Sequence, residues 1–184
     1  MKQLFFLLLA ATMVACSSSV KISNAGAAPG ADLAKYKSFD FYKLDASGDT
    51  VSKGFNERMD MLKSAIAGEL TSRGYTQSSS KPDLLVNIGL QVEEKTQTRQ
   101  TDWRTDGAYK YMGQRNYSWK SEEVVVGYYK EGSVTVHLVD AAANEMVWKG
   151  TAKDILPSKA SKVPEVAQAG MKALFAKYPI APKQ

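Results

Sequence analysis

The sequence predicts an α+β fold: a two-layer sandwich, with two helices packed on one face of a mainly antiparallel sheet of about four to six strands. Three observations carry this. Apolar residues recur at helical spacing in two stretches, 55–70 and again after Pro164. Elsewhere apolar and polar residues alternate, which is the period of a half-buried strand. The links between the later strands are short, and short links join antiparallel neighbours. Two amphipathic helices and one sheet then make two layers, with the other sheet face partly solvated.

The elements follow in order. "YKSFDFY" (36–42) alternates aromatic and polar residues and reads as a strand. In "FNERMDMLKSAIAGELTSRGY", Phe55, Met59, Leu62, Ile66 and Leu70 share one helix face. Asn56 is the expected N-cap and Gly74 the left-handed residue that ends the helix. "SSSKPD" is a loop. Leu84, Val86, Ile88, Leu90 and Val92 then share one face of a strand. The stretch 122–154 reads as three strands, with turns at Glu131-Gly132 and at Asp140 to Asn144. Val134, Val136 and Leu138 lie on one face, and Thr135, His137 and Val139 on the other. Met146, Trp148, Gly150 and Ala152 alternate in the same way. "ILPSKASKVP" breaks the pattern. Pro164 suits the first turn of a second helix, whose apolar side is Ala167, Met171, Leu174, Phe175 and Tyr178, and Pro179 stops it.

The chain of 184 residues holds one domain of ordinary size, expected over 35–180. The formal charge of +5 is spread among interspersed acids and bases rather than gathered in a stripe, so no nucleic-acid partner is expected. The single cysteine, Cys16, excludes an internal disulfide framework and any multi-cysteine metal site. "MKQLFFLLLAATMVA" (1–15) has a positive start and an apolar run too short to span a bilayer, and reads as a cleaved signal peptide. Cys16 follows Val14-Ala15 directly. This resembles the bacterial lipobox, with Met13 where Leu is usual. The resemblance implies that Cys16 becomes the new N-terminus and carries diacylglycerol and an amide-linked acyl chain such as palmitate. Two or three chains on one residue make a permanent bilayer anchor. Residues 16–34 read as a flexible tether, with Val20 to Ser23 as a short edge strand. Ser17 resembles an outer-membrane address under the sorting rule of enteric-type bacteria.

Chemistry-bearing residues are few. His137 is the only histidine and has no partner in its sequence neighbourhood except Asp140, across a turn; it reads as an outer-face residue. Glu93-Glu94 and Glu122-Glu123 are adjacent acids, and strand neighbours point to opposite faces, so neither pair is a catalytic dyad by itself. A cross-strand meeting of Glu93 with Glu122 or Glu123 stays open. Phosphate-binding glycine loops and metal-ligand spacings are absent, and neither cofactor nor metal is expected. The segment 97–120 interleaves aromatic and cationic residues. Trp103, Arg104, Tyr109, Tyr111, Arg115, Tyr117 and Trp119 form the candidate ligand or partner surface, suited to sugar rings or to lipid and glycan phosphates. The alternative is a long hairpin turning at Asp106-Gly107, which pairs Trp103 with Lys110 and Thr105 with Ala108.

"ADLAKYKSF", "KPDLLVNI", "YYKEGSVTVHLVDAAANEMVWKGTA" and "FAKYP", in that order behind a lipobox, resemble the bacterial lipoprotein family named domain of unknown function 4136. The resemblance spans roughly residues 16 to 180. It implies the fold and an envelope location, and supplies no catalytic residues. The expected function is a lipid-anchored, non-catalytic binding or assembly module of the cell envelope. Its expected partners are the bilayer, through acylated Cys16, and an envelope glycan or protein. The alternatives are a hydrolase of envelope polymers acting through Asp or Glu, and self-assembly through an exposed sheet face bearing Tyr129, Val139 and Val147.

Overall fold

A computed structural model describes residues 20–48, 54–107 and 120–183. Its main elements are β1 (Lys21–Ala27), β2 (Ser38–Gly48), α1 (Phe55–Ser72), β3 (Thr76–Gln77), β4 (Leu84–Gln100), β5 (Glu123–Asp140), β6 (Glu145–Ile155) and α2 (Val163–Phe175). The strands form one sheet in the order β1-β6-β5-β4-β2-β3. β1, β6, β5 and β4 pair antiparallel. β2 runs parallel to β4 and to β3, because α1 intervenes and carries the chain back across the sheet. Both helices lie on one face, and the fold is the expected α+β sandwich.

The core sits between the layers. Leu84, Val86, Ile88, Val136 and Leu138 point up from the sheet, and Met59, Leu62, Ile66 and Leu70 point down from α1. α2 adds Met171, Leu174 and Phe175. Trp148 stacks on Phe175 at 5.3 Å between centroids and meets the edge of Tyr178 at 5.2 Å. Gly74, at φ 93°, ends α1 as expected. Its N–H reaches Thr71 O at 2.9 Å, and the Tyr75 N–H reaches Leu70 O at 3.2 Å, which is the paired bonding of a Schellman cap.

Four local expectations need correction. Gly54, left-handed at φ 81°, is the N-cap of α1, so the chain turns into the helix before Asn56, which lies in the first turn. β5 runs straight through Glu131-Gly132, and the stretch 122–154 makes two strands rather than three. Gly132 serves a close approach instead: a Cβ there would sit 2.7 Å from Leu156 Cδ2, and the Leu156 N–H bonds to Lys130 O at 2.8 Å. The pairing of β5 with β6 shifts by a bulge at Leu138/Val139, which buries both Val147 and Trp148 and leaves Met146 exposed. Residues 21–27 pair with β6 and Leu33 is buried in the core, so this part of the expected tether belongs to the fold.

Candidate functional site

The strands that lead into the helices, β2 and β6, end at the same edge of the sandwich: Gly48 opposite Val92, and Ile155 opposite Glu131. Both helices therefore start at that end and run to the other. At the far end they are clamped. Buried Arg73, at the end of α1, donates to Phe175 O (2.8 Å), Ile180 O (3.0 Å) and the Glu69 carboxylate (2.7 Å). The Tyr75 hydroxyl donates to Leu33 O (3.0 Å) and so accepts from the Tyr178 hydroxyl (2.8 Å). Burial, and then this bond, push the Tyr178 phenol far above its ordinary range.

At the near end the layers part around an open cleft of about 600 Å³. Leu90, Val134 and Ala152 floor it; Phe55 and Met59 wall it from α1, and Val163, Ala167 and Gly170 from α2. α2 leaves room there at two small residues, Ala167 and Gly170. A Cβ on Gly170 would meet nothing within 4 Å. Arg58, Glu94, Lys130, Lys153 and Asp154 stand around the opening, and so does Val20, where the chain enters β1. An apolar trough with charged groups at one end fits an amphiphile lying tail-inward.

From the same end a two-stranded arm projects. Beyond Glu93 opposite Glu131, the ladder of β4 and β5 has no further strand beside it among the described residues, from Glu94–Lys130 to Gln100–Glu123. Those seven residues of β4 carry the ribbon about 23 Å past the sheet. Trp103–Gly107 then forms a π-helical turn. The Asp106 carboxylate closes it, taking two bonds from the Arg99 guanidinium (2.6 and 2.7 Å) and one from the Asp102 N–H (2.9 Å). Arg99 first, then that N–H, hold the Asp106 carboxyl well below the usual carboxylate range. Asp106-Gly107 is therefore not a two-residue hairpin turn, and Trp103 and Thr105 sit in a helical turn rather than a strand. Past Gln100 the Thr101 N–H still reaches Glu122 O at 2.8 Å, and from Asp102 onward the Asp106 side chain bonds back into its own loop.

Of the expected surface, Trp103 is 59% exposed and the Arg104 guanidinium lies 5.5 Å over its ring. Tyr109, Tyr111, Arg115, Tyr117 and Trp119 lie outside the described residues, as does Cys16. Sequence reasoning missed the cleft altogether. Its only trace is the small residues Ala167 and Gly170 on the inner side of α2.

The family model described as "Domain of unknown function (DUF4136)" matches residues 24–180. The chain belongs to this family. A DUF4136 family protein from Bacteroides thetaiotaomicron has a similar crystal structure, with a TM-score of 0.52 and 11% identity over 88% of this chain and 97% of that one. A PDZ domain protein from Parabacteroides distasonis aligns with a TM-score of 0.52 and 15% identity over 89% of this chain, which spans 37% of that protein's length. At such identities the likeness is one of fold. No curated protein matches the sequence.

Two further carboxylates of this DUF4136 domain, Asp140 and Asp83, have structural partners. Asp140 accepts from Ala142 N (2.9 Å), Ala143 N (3.0 Å), the Tyr36 hydroxyl (2.8 Å) and Lys35 Nζ (3.2 Å). These bonds, the Ala143 N–H foremost, hold its carboxyl far below the usual range. Asp83 accepts from the N–H groups of Lys37 (2.8 Å) and Ser38 (2.9 Å), tying the start of β2 to the start of β4. Asp140 is thus engaged in holding its turn. His137 stands in the ladder between Asn87 and Lys149 on the face away from the core strip. Glu93 and Glu123 lie at opposite ends of the arm, so the cross-strand dyad does not form. Glu93 faces Glu131, but Lys95 and Lys153 pair with them, and the hydrogen bond from Lys95 lowers the Glu93 pKa. No group of three or more metal-ligating side chains occurs among the described residues, and no helix among them is long and apolar enough to cross a membrane.

Proposed function

We propose that this DUF4136 protein is a lipid-anchored protein of the bacterial envelope, held through acylated Cys16, that binds an acyl-chain-type ligand in its cleft. The observation that carries this is the position of the opening. Val20 lines the cleft, and Cys16 lies four residues upstream of it. Four extended residues span at most about 14 Å. A bilayer that holds the acyl chains therefore lies within reach of the mouth, and an amphiphile can pass its tail inward while its headgroup stays among the rim charges. Ser17 supports an outer-membrane address. Binding suits the site better than catalysis, since its lining is apolar and the paired acids Glu93 and Glu131 are each held by a lysine.

The cleft is tested with a fluorescent long-chain fatty acid. Gly170→Phe, placed where the wall is empty, is expected to abolish probe binding while leaving the unfolding midpoint near that of the wild type. Equal binding by both proteins overturns the assignment. The anchor is tested separately: Cys16→Ser is expected to move the protein from the membrane fraction to the soluble one.

A further inference from the structure

The arm, the cleft mouth and the incoming chain share one end of the sandwich. β1 enters antiparallel to β6, with Lys21 opposite Lys153, and Lys153 in turn faces Ser133 of β5. The chain before Lys21 therefore comes from the side to which the arm points. Lys21 lies five positions past Cys16, at most about 18 Å of chain. From the level of Ser133 the ribbon runs out to Glu123, about 30 Å, before its terminal turn is added. The arm is longer than the leash.

We propose that the arm is a bilayer-contacting element: with Cys16 anchored, the Trp103–Arg104 turn and the outer half of the ribbon lie in the interfacial layer of the membrane that holds the lipid. The inference rests on the anchoring proposed above. With the open end turned toward the bilayer, a surface within about 18 Å of Lys21 cannot clear an element that extends about 30 Å the same way. In that orientation the arm rests along the surface or dips into it.

Its side chains suit that place. Seven large apolar residues stand exposed among the described residues, and four belong to the arm: Trp103, Val125, Val126 and Tyr128. A bulge between Gln97 and Thr98 interrupts the ladder opposite Val125–Gly127 and brings Val125 and Val126 both to the surface. Among the described residues, neither strand of the ribbon has a second strand neighbour that could cover them. Tryptophan and tyrosine concentrate at the headgroup level of bilayers, where an apolar ring and a polar edge are both satisfied. Arg104, stacked over Trp103, places a cation at the depth of the lipid phosphates.

The test uses the acylated full-length protein in vesicles of phosphatidylethanolamine and phosphatidylglycerol. Cys16 is consumed by its thioether, so a new thiol labels uniquely. An environment-sensitive dye is attached in Thr105→Cys, on the arm turn, or in Ala142→Cys, on the turn at the opposite end. The expected result is strong quenching of the Thr105 dye by lipids carrying a quencher at the headgroup level, and little quenching of the Ala142 dye. Protein that stays on the vesicles with both dyes equally unquenched overturns the arm proposal and leaves the anchor standing. A Thr105 dye shielded from water but untouched by the lipid quencher places the arm against protein, a second copy included, and also overturns it. Protein that washes off the vesicles overturns the anchor and the arm together.

Discussion

Two glycines on the inner side of the sandwich respond in opposite senses to the same added methyl group. Gly150 lies on β6 under the clamped end of α2. A Cβ there would fall 2.6 Å from Leu174 Cδ1 and 3.1 Å from Trp148 Cη2. Carbon atoms in ordinary contact sit about 3.5–4.0 Å apart, so the helix or the indole must move by about 1 Å. Leu174 and Trp148 have no exposed surface and no space to yield into. Overpacking of this kind costs about 1–3 kcal/mol. The entropy removed from the unfolded chain returns about 0.4–1 kcal/mol, which leaves Gly150→Ala destabilised by about 1–2 kcal/mol, a loss of about 2–8 °C in Tm for a domain of this size. Gly170, one turn before Leu174 in α2, faces the cleft with nothing within 4 Å. Gly170→Ala meets no atom and gains helix propensity, so it stabilises by about 0.5–1 kcal/mol. Urea unfolding followed by circular dichroism measures both. A Leu174→Ala background makes the test specific, because the clash at position 150 then loses its partner and the cost of Gly150→Ala shrinks. Gly150→Ala as stable as wild type, or equally costly with and without Leu174, would falsify the packing described for this end.

Two further outcomes are expected. Arg73→Met removes the buried guanidinium and leaves Glu69, Phe175 O and Ile180 O without their donor; a loss of about 3 kcal/mol or more in urea unfolding is expected, and a loss under 1 kcal/mol counts against the clamp. Asp140 and Asp83 both titrate below their unfolded values because of the hydrogen bonds they accept. A lowered folded pKa gives stability that is complete above the unfolded carboxylate pKa of about 3.9 and is lost as pH falls below it. The urea midpoint should therefore hold from pH 7 to about 5 and drop steeply from about 4 downward, and Asp140→Asn should flatten that drop; an unchanged slope in the variant removes Asp140 from the explanation.

The layers of the fold were legible because they rest on periodicity. Met59, Leu62, Ile66 and Leu70 are buried as their spacing requires, and so are Leu84, Val86 and Ile88. What sequence alone concealed has tertiary causes. Gly132 looks like a turn residue, yet it clears a path for Leu156, which lies far along the chain. Asp106-Gly107 has the composition of a hairpin turn, but Asp106 is drawn away by Arg99. The cleft left almost no trace, since a void is defined by what neighbouring elements fail to fill. One clue to the arm was present. After the alternating run that ends at Val92, Glu94 to Gln100 holds only polar residues, as suits strands that pair beyond the sheet and cover no core.

The shared location of cleft, chain entry and arm follows from connectivity rather than from any one side chain. β2, β4 and β6 all run toward the same end of the sheet, while β1 and β5 run away from it. The helices that follow β2 and β6 must begin there, and Arg73 and the Tyr75–Tyr178 pair tie them together at their other ends. Ligands in sheets with parallel connections gather beyond the carboxyl ends of the strands for this reason: helices start there, and nothing yet holds them closed. The sandwich thus separates its tasks along its length. Substitutions around Gly150 and Arg73 should lower stability and leave ligand uptake alone, whereas substitutions around Gly170 and Trp103 should change what the open end touches without lowering stability.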